Sequence, residues 1–571
     1  MKHSEEKYKV SRTATVLMWL LPLALIVPNI ALDITEIRYS VMERIINIVA
    51  PAGVYLLLCS LFKRIGISTL CFIPVMVLNA FQLVLLFLYG ESIIAVDMFL
   101  NVVTTNVKEA SELLLNLGFA IGFVCILYAP AIVTGIYLAV RKEISSAKSR
   151  RYGLYTSLSL CGVAVICIGG LLLSGKSYAA DRKLFPVNVI SNIFSAIHRT
   201  ELTNKYEESS SNFRYNAICE ADSAGQIVVL IIGETSRADN WELAGYRCAT
   251  NPKLMQREGL VFYPLTLSES NTTHKSVPLL MSHFDASGFA DSIYCSKSII
   301  NAFKEAGYKT AWISNQQRNH SFIDFFGSEA DYSKFLKDDE LTHYDAELCG
   351  EMRKFIDSQA DSTQNIFIVL HSYGSHFNYR ERYPNEYNRF MPDDSTEASK
   401  ENRNGLINAY DNTILYTDAV VDSVFSILEN SGRPAAALYT SDHGEDIYDD
   451  RRERFLHASP TPTYWQLHVP LIVWCNETYS MKNPEKSKAL NENSKKNVSS
   501  SRSAFHTLVS LGGLQMPMYD KSASLSECDY REPVRQYLND YNEAVSLEEA
   551  GLRDNDFFML KFNGLKKLDP E

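Results

Sequence analysis

The feature that most limits how this chain can fold is a series of five long apolar segments in its first third. The segments occupy residues 13–32, 45–62, 69–89, 117–140 and 155–174. Each is close to the ~20 residues that an α-helix needs to cross the hydrocarbon layer of a membrane. A single segment could be a buried core helix or a cleaved signal peptide, but five in succession without globular sequence between them favour membrane spans. We therefore predict a five-helix transmembrane domain over residues 1–176.

Basic residues are concentrated on one side of the predicted spans, in clusters at 2–12, 63–64 and 141–151. By the positive-inside rule these three clusters lie in the cytoplasm, so the chain after residue 176 is expected outside. Residues 1–176 carry 15 Lys and Arg against 10 Asp and Glu, a net +5, and the rest carries 40 against 56, a net −16. The outer part lacks the basic surface that nucleic-acid binding requires, so we expect no nucleic-acid partner.

Residues 177–220 are predicted to link the spans to an outer domain at 221–571. Segment 185–199 is apolar on one helical face, which is compatible with a helix along the membrane surface and equally with a linker helix packed on the outer domain. Segment 200–212 is polar and is predicted to be a loop or a domain boundary. The chain after residue 176 holds six of the eleven cysteines, an even number in a compartment that permits disulfides, although their spacing selects no pairing.

From residue 226 the sequence alternates short β-branched runs with helical patterns. Helices are predicted at 298–307 and 405–432. Buried strands are predicted at 227–233, 309–314, 365–372, 435–441 and 469–475. This alternation, with strands apolar almost throughout, favours an α/β domain with a mostly parallel central sheet covered on both faces. Ligands bind such sheets beyond the carboxyl ends of the strands.

Polar side chains directly follow three of these strands. Glu234 follows the first, the segment 371–376 with two histidines ends the third, and Asp442 and His443 follow the fourth. Carboxylates and imidazoles at neighbouring strand ends are the ligand set of zinc or a similar divalent cation. Each group alone could be structural, Glu234 as a helix cap and Asp442-His443 as a turn, but their coincidence favours a metal site.

A hydroxyl-rich segment, SESNTTHKSVP at 268–278, precedes an apolar stretch. A Ser or Thr hydroxyl becomes an effective nucleophile when a base or a metal lowers its pKa. The same composition is typical of a helix N-cap, and residue types alone leave both interpretations open. The two are compatible, because a helix N-terminus also favours an anionic phosphoryl group.

Five segments together resemble one enzyme family. They are IVVLIIGETSRADNWELAGYRCATNP, SNTTHKSVPLLMS, HSYGSHFNYRERYP, YDNTILYTD and SDHGE. They resemble the membrane-bound phosphoethanolamine transferases of Gram-negative bacteria, the lipid A-modifying and polymyxin-resistance type, within the alkaline phosphatase/sulfatase superfamily. The resemblance covers nearly the whole chain, and it implies an alkaline phosphatase-like (sulfatase-like) outer domain behind five spans.

The resemblance implies a catalytic Zn²⁺ whose ligands are Glu234, Thr273, Asp442 and His443. Thr273 stands five residues before the proline of its segment, the position of the nucleophile that becomes modified with phosphoethanolamine in the family.

Further residues are implied as substrate contacts. His376 and His457 would contact the phosphoryl group or act in proton transfer and a second metal site, and Asn315 matches a substrate-contact position. In the membrane part the segment MFLNVVTTNVKEASELL fits a family loop that faces the lipid substrate, although an exposed polar helix is an equal alternative. The residues of that loop are Asn101, Thr105 and Glu109.

Two positions beside the nucleophile depart from the family's pattern. The best-known members carry a cysteine at each of the positions occupied here by Glu269 and Leu279, so that disulfide cannot form. The order of the nucleophile segment is therefore expected to come from packing or caps. His274 replaces a small residue and is expected to tune the local charge.

The resemblance implies zinc-dependent transfer of phosphoethanolamine from phosphatidylethanolamine, through a phosphothreonine-type intermediate, to an envelope acceptor such as lipid A or lipopolysaccharide core. The enzyme would be a monomer in contact with membrane lipids, anchored in the inner membrane with its catalytic domain in the periplasm. A phosphoglycerol transferase or a sulfatase-like hydrolase of the same superfamily is the alternative, although we find no C/S-x-P-x-R segment typical of sulfatases. A catalytically silent sensor is a further alternative, which the joint retention of the four ligand residues disfavours.

Overall fold

The computed structural model describes residues 8–35, 39–90, 93–97, 118–219, 225–318, 321–338, 343–359, 361–393 and 398–565. These residues divide into two compact units, with the boundary between Ile197 and His198. The domain limits at residues 176 and 220 stay predictions. Each unit is described below by itself.

The first unit is helical. Four helices among its described residues are long and apolar enough to cross a membrane: Arg12–Thr35, made of Arg12–Leu25 and Val27–Thr35, then Val41–Leu61, Gly118–Val140 and Ala147–Leu173. The third predicted span is a pair of helices, Ile65–Cys71 and Ile73–Tyr89, bent by 50°. Pro74 lies in the first turn of the second helix, where its missing N–H and fixed φ suit a helix start rather than a continuation. The prediction of a bundle of apolar N-terminal helices is confirmed, with the third span broken.

Two helix boundaries differ from the sequence prediction. The last long helix begins at Ala147, well before the apolar run, because the hydroxyl of Ser146 accepts a hydrogen bond from the backbone N–H of Ser149 at 3.1 Å and caps the helix through its charged first turns. The prediction of a loop over 200–212 is wrong for most of its length. Helices Val187–Asn204 and Tyr206–Ser209 cover it, since Tyr206 is buried in an apolar core of the second unit. The remaining short elements of the first unit are Ala180–Lys183, Lys9–Val10 and Glu143–Ile144.

A seven-stranded sheet organises the second unit. In chain order its strands are β1 (Ile227–Gly233), β2 (Leu260–Phe262), β3 (Lys309–Ser314), β4 (Tyr332–Phe335), β5 (Ile366–His371), β6 (Ala435–Ser441) and β7 (Leu471–Cys475). The spatial order is β2-β7-β6-β1-β5-β3-β4. Neighbouring strands pair in parallel except at β7, which runs antiparallel to both β6 and β2. All five predicted strands belong to this sheet, and the prediction of a mostly parallel sheet is confirmed.

Helices cover both faces of the sheet. Along β1 the even-numbered residues Val228, Leu230 and Ile232 pack into one apolar core, and the alternate residues of the same strand pack into another, as expected when side chains alternate across a strand. The helices of the unit are Thr273–Met281, Ile299–Glu305, Phe322–Ser328, Ala346–Ser358, Arg403–Asn430, Tyr464–Leu467, Glu477–Lys482, Pro484–Asn493, Ser500–Leu511, Leu547–Ala550 and Asp554–Phe562. Both predicted helices are among them.

Short strand pairs and 3₁₀ turns complete the second unit. The pairs are Ile218–Cys219 with Leu514–Gln515, Thr266–Leu267 with Val498–Ser499, Asp446–Ile447 with Phe455–Leu456, and Gln536–Leu538 with Ala544–Ser546. The 3₁₀ turns are Ala238–Asn240, Glu242–Ala244, Leu254–Gln256, Ser292–Cys295, Leu336–Asp338, Tyr379–Glu381, Asn385–Tyr387, Lys400–Asn402 and Lys521–Ala523. All eleven cysteines fall within the described residues, and none of them forms a disulfide there.

The strand order determines where the polar strand ends meet. β6, β1 and β5 are neighbours, and their last residues are in register: Ser441 lies opposite Gly233, and His371 lies opposite Ile232. The side chains that follow these three strands therefore share one edge of the sheet, where ligands of parallel sheets bind.

Candidate active site

The four residues predicted as zinc ligands come together at this edge. Thr273 Oγ1 lies 3.2 Å from Glu234 Oε1 and 3.1 Å from His443 Nε2. His443 Nε2 is in turn 3.6 Å from Glu234 Oε1 and 3.2 Å from Asp442 Oδ2. Residues separated by more than 200 positions in the chain thus present a hydroxyl, two carboxylates and an imidazole to one point.

Thr273 reaches this point because it is the first residue of helix Thr273–Met281. Thr272, one residue earlier, is the N-cap in extended conformation, and within the described residues its side chain makes no capping hydrogen bond. Thr272 therefore occupies the N-cap position that the hydroxyl-rich segment suggested. The Thr273 hydroxyl does not cap the helix and contacts Glu234 instead. The positive end of the helix dipole lies at the same place and favours a negatively charged group there.

The donor atoms fit a divalent cation. Asp442 Oδ1 accepts hydrogen bonds from the backbone N–H groups of Thr235 and His443 at 3.1 and 2.7 Å, whereas the buried Oδ2 accepts none among the described residues. His443 Nδ1 is 2.9 Å from the Gly444 carbonyl, so Nδ1–H donates there and Nε2 keeps a free lone pair. Two carboxylates, one imidazole and one hydroxyl make an N/O ligand set suited to zinc.

Burial governs the protonation of these groups. Burial raises the pKa of Asp442 to about 6. Burial, and after it the neighbouring His457, lowers the pKa of His443, so its imidazole is neutral and able to bind a metal. Buried carboxylates of this kind are costly without a compensating positive charge, and a bound cation supplies one.

His376 and His457 line the same site. The His457 ring lies 4.2 Å from the His443 ring and 5.9 Å from the His376 ring, centroid to centroid. Glu445 Oε2 lies 3.2 Å from His457 Nδ1 and orients that imidazole. Glu234, His443 and His457 also form a group whose ligand atoms lie within 4.8 Å of one another, so His457 is placed to contact a metal or a phosphoryl group.

Asn315 is buried, and its side chain faces a carboxylate. Its Nδ2 donates to Asp345 Oδ1 at 2.7 Å and to the His343 carbonyl. Asp345 also accepts hydrogen bonds from the backbone N–H groups of Tyr373 and Gly374, both at 2.9 Å. Asn315 and Asp345 together therefore support the segment that leads to His376. The other predicted substrate contacts, Asn101, Thr105 and Glu109, lie outside the described residues.

Comparison with known proteins places the chain in a family. The Sulfatase protein-family profile matches residues 226–514, half of the chain. The chain belongs to the sulfatase family. Among curated relatives, phosphoethanolamine transferase EptA of Escherichia coli K12 is 27% identical over 449 residues, which cover 74% of this chain and 79% of the relative. Phosphoethanolamine transferase EptC of the same organism is 26% identical over 346 residues, 58% of each protein.

Solved structures show the same fold. The integral membrane protein lipooligosaccharide phosphoethanolamine transferase A (EptA) from Neisseria meningitidis matches with a TM-score of 0.65 at 22% identity, covering 92% of this chain and all of that one. The periplasmic domain of E. coli EptC in complex with Zn matches with a TM-score of 0.53 at 24% identity, covering 60% and 97%. The predicted fold class and the predicted resemblance to the phosphoethanolamine transferases are confirmed, as is the expectation of an enzyme of that group.

Two side chains that support the ligands of this sulfatase-family site were not predicted. Gln316 Nε2 donates to the Ser372 carbonyl at 2.9 Å and lies 3.4 Å from Glu234 Oε2. Tyr410 donates its hydroxyl hydrogen to the Thr235 carbonyl at 2.7 Å and accepts from the Arg237 backbone N–H at 2.9 Å. The YDNT segment thus holds the GETSR segment. The repeated polar residues of the YDNT segment on an otherwise apolar helix indicated a buried polar contact. The sequence did not indicate that the contact is with the GETSR segment.

A glycine in the HSYGSH segment permits the close approach of two strand ends. Gly374 has φ +51°, and a Cβ there would lie 2.6 Å from the Glu234 carbonyl oxygen. Both the left-handed backbone and the close contact require glycine. The segment that carries His376 is therefore packed directly against the segment that carries Glu234.

Proposed function

We propose that the chain transfers phosphoethanolamine from phosphatidylethanolamine to an envelope acceptor, such as lipid A or lipopolysaccharide core, through a covalent intermediate on Thr273. The observation that carries this proposal is the contact of the Thr273 hydroxyl with Glu234 and His443 at a helix N-terminus. The names of the curated relatives and of the lipooligosaccharide transferase support the transferred group and the class of acceptor.

Zinc would be held by Glu234, Asp442, His443 and Thr273, and the EptC periplasmic domain solved with Zn supports the choice of metal. When bound, zinc supplies a Lewis acid that lowers the pKa of a hydroxyl and offsets charge on the phosphoryl oxygens. The ligand geometry is set by this chain alone, since all four residues come from a single copy. We therefore propose that a monomer is active.

In the first step Thr273 Oγ1 attacks phosphorus and the bond from phosphorus to the diacylglycerol oxygen breaks. Glu234 Oε1, 3.2 Å from Thr273 Oγ1, accepts a hydrogen bond from the hydroxyl and orients it, and the hydroxyl proton leaves to solvent before the attack. His376 or His457 donates a proton to the leaving oxygen, because both imidazoles are only half-buried, beside the buried carboxylate and imidazole ligands. The products are diacylglycerol and phosphoethanolamine-threonine.

In the second step an acceptor hydroxyl or phosphate oxygen attacks the same phosphorus. The bond from phosphorus to Thr273 Oγ1 breaks, and the phosphoethanolamine group leaves on the acceptor. The imidazole that gave up its proton in the first step takes the acceptor's proton, which restores the enzyme.

The donor lipid tests the proposal. Purified protein mixed with phosphatidylethanolamine in detergent should gain the mass of one phosphoethanolamine unit and release diacylglycerol. Phosphatidylglycerol is the control and should give neither product. An adduct that forms only with phosphatidylglycerol would establish the phosphoglycerol transferase instead, and the absence of any adduct from an enzyme loaded with zinc would refute the covalent mechanism.

We further propose that the enzyme lies in the bacterial inner membrane with its catalytic domain in the periplasm. The basic clusters of the first unit support this orientation. Helix Val187–Asn204 carries exposed apolar side chains at Ile190, Phe194 and Ile197, a spacing that puts them on one face and suits the membrane surface. Protease added to intact spheroplasts should remove the catalytic domain and leave a membrane-bound N-terminal fragment. A domain that is cleaved only after lysis would reverse the orientation.

A further inference from the structure

Glu269 is a buried carboxylate four residues before Thr273. Only 4% of its surface is exposed, and the five residues from Ser268 to Thr272 are all buried. A carboxylate in such a place is unfavourable unless hydrogen bonds compensate for its lost hydration. Its partners therefore indicate what it does.

The Glu269 carboxylate joins the two sides of the nucleophile segment. Oε2 accepts a hydrogen bond from the backbone N–H of Ala286 at 3.1 Å, across a separation of 17 residues. Glu269 precedes helix Thr273–Met281 and Ala286 follows it. This one contact thus closes a loop that contains the whole helix and Thr273.

The same carboxylate ties this loop to a third segment. Oε2 also accepts the hydroxyl hydrogen of Ser501, which lies on helix Ser500–Leu511, and that helix packs against helix Thr273–Met281. The backbone carbonyl of Glu269 accepts from the N–H of Leu538 at 2.8 Å. The beginning of the nucleophile segment is therefore fixed to three parts of the scaffold.

We propose that Glu269 is a positioning residue that holds the Thr273 hydroxyl at Glu234 and His443 before the substrate binds. The inference rests on the proposed function for its effect on rate. Preorganisation matters because a displacement of about 1 Å at a reacting group can cost roughly 10²-fold in rate. The bonds of Glu269 are all to scaffold segments, so it acts on the reaction only through the position of Thr273.

The electrostatic surroundings of the Glu269 carboxylate show that it is buried and depends on the hydrogen bonds it accepts. Burial, and after it the nearby Asp285, raises the pKa of Glu269 to about 7, while the bonds from Ser501, Ala286 and Ser499 act in the opposite direction. Arg535 is also buried, and its guanidinium donates to the carbonyls of Val498 and Leu265. Glu269 depends on its neutral donors, because no ion pair with Arg535 is formed among the described residues.

Glu269→Ala is the direct test. It should lower the rate of adduct formation on Thr273 at saturating phosphatidylethanolamine by about 10²-fold per zinc-loaded enzyme, with little change in the donor concentration that gives half the maximal rate. Hydrogen exchange of the peptide 270–282 should become about 10-fold faster or more. Glu269→Gln keeps an acceptor oxygen in the same place and should restore most of the rate and the protection.

Glu329 provides a matched control. Its side chain is 6% exposed, and its carboxylate also accepts from one backbone N–H and one serine hydroxyl, both of Ser298, at 3.0 and 2.6 Å, in addition to a hydrogen bond from the Tyr206 hydroxyl and an ion pair with Lys297. Glu329→Ala should destabilise the domain to a similar degree while peptide 270–282 and the rate per folded enzyme stay unchanged. Equal losses of rate and of exchange protection in both alanine variants would show that Glu269 only stabilises the domain in general, and would overturn the proposal.

Adduct formation on Thr273 and hydrogen exchange of peptide 270–282 test the proposed function and this inference separately. If the wild-type enzyme forms no adduct, the proposed function fails, and the exchange of peptide 270–282 still decides whether Glu269 orders the segment. If Glu269→Ala does not fold, Ser501→Ala removes one of the two side-chain bonds and should accelerate exchange of the same peptide. Unchanged exchange and an unchanged rate in the folded variants would refute the positioning role.

Discussion

Replacing Thr273 with alanine should abolish the covalent adduct and lower turnover by roughly 10⁴-fold or more, since the variant lacks the attacking oxygen. Thr273 Oγ1 lies 3.2 Å from Glu234 Oε1 and 3.1 Å from His443 Nε2. The alanine variant keeps the two carboxylates and the imidazole, so we expect it to retain most of its zinc. Intact-protein mass spectrometry after incubation with phosphatidylethanolamine measures the adduct, and elemental analysis measures the metal.

Thr272→Ala is the matched control for this prediction. Thr272 carries the same hydroxyl one residue earlier, but that hydroxyl lies 3.2 Å from Ser270 Oγ, with which it can share a hydrogen bond. The adduct and most of the activity should survive its removal. An adduct that persists in Thr273→Ala, or that disappears only in Thr272→Ala, would assign the nucleophile to another residue.

Replacing Asp442 with asparagine should remove the metal while leaving the fold intact. The asparagine oxygen can still accept the hydrogen bonds that Oδ1 takes from the N–H groups of Thr235 and His443. Its amide N–H₂ would then occupy the place of Oδ2, the buried atom that accepts no hydrogen bond among the described residues. The amide N–H₂ has neither the negative charge nor the lone pair with which the carboxylate oxygen would bind the cation. We therefore expect zinc affinity to fall by more than the roughly 10–100-fold that is typical when a residue hydrogen-bonded to a metal ligand is lost.

Metal content and thermal unfolding measure this effect. A chelator should lower the melting temperature of the wild-type protein, because a bound ion at 100 times its Kd stabilises a fold by about 2.7 kcal/mol, and should not affect Asp442→Asn. Asp446→Asn is the control for zinc content. Asp446 is also a buried aspartate, but it accepts hydrogen bonds from Thr463 and Gln466 instead of facing the ligands. A variant Asp442→Asn that purifies with a full complement of zinc would remove Asp442 from the ligand set.

The sequence predicted the elements that carry their own periodic signal. Long apolar runs indicated the membrane helices, and apolar β-branched runs indicated five strands of the sheet. The polar residues after three of those strands indicated the site, because parallel strands bring their carboxyl ends to one edge whatever their order. Glu234, Asp442 and His443 meet there as expected from this rule.

Local signals failed where a distant partner decided the outcome. The polar segment 200–212 is mostly helical, and Tyr206 within it packs into the core of the second unit. The substrate contact at Asn315 stays a prediction, and the hydrogen bond from its amide to Asp345, 30 residues away, was not foreseen. The even number of outer cysteines allowed disulfides, but none of them forms one within the described residues.

The sequence by itself determined the spans, the α/β class and the residues at the strand ends. The burial of a helix or strand and the spacing of its apolar residues can be recognised from consecutive positions in the chain. Only the tertiary structure decided which residues hold those groups in place. The bond of Glu269 to Ser501 joins positions 232 residues apart, and that of Tyr410 to Arg237 spans 173. Packing or caps were expected to order the nucleophile segment, and in the structure the buried carboxylate of Glu269 accepts hydrogen bonds that hold it. Such pairs exist only once the chain has folded.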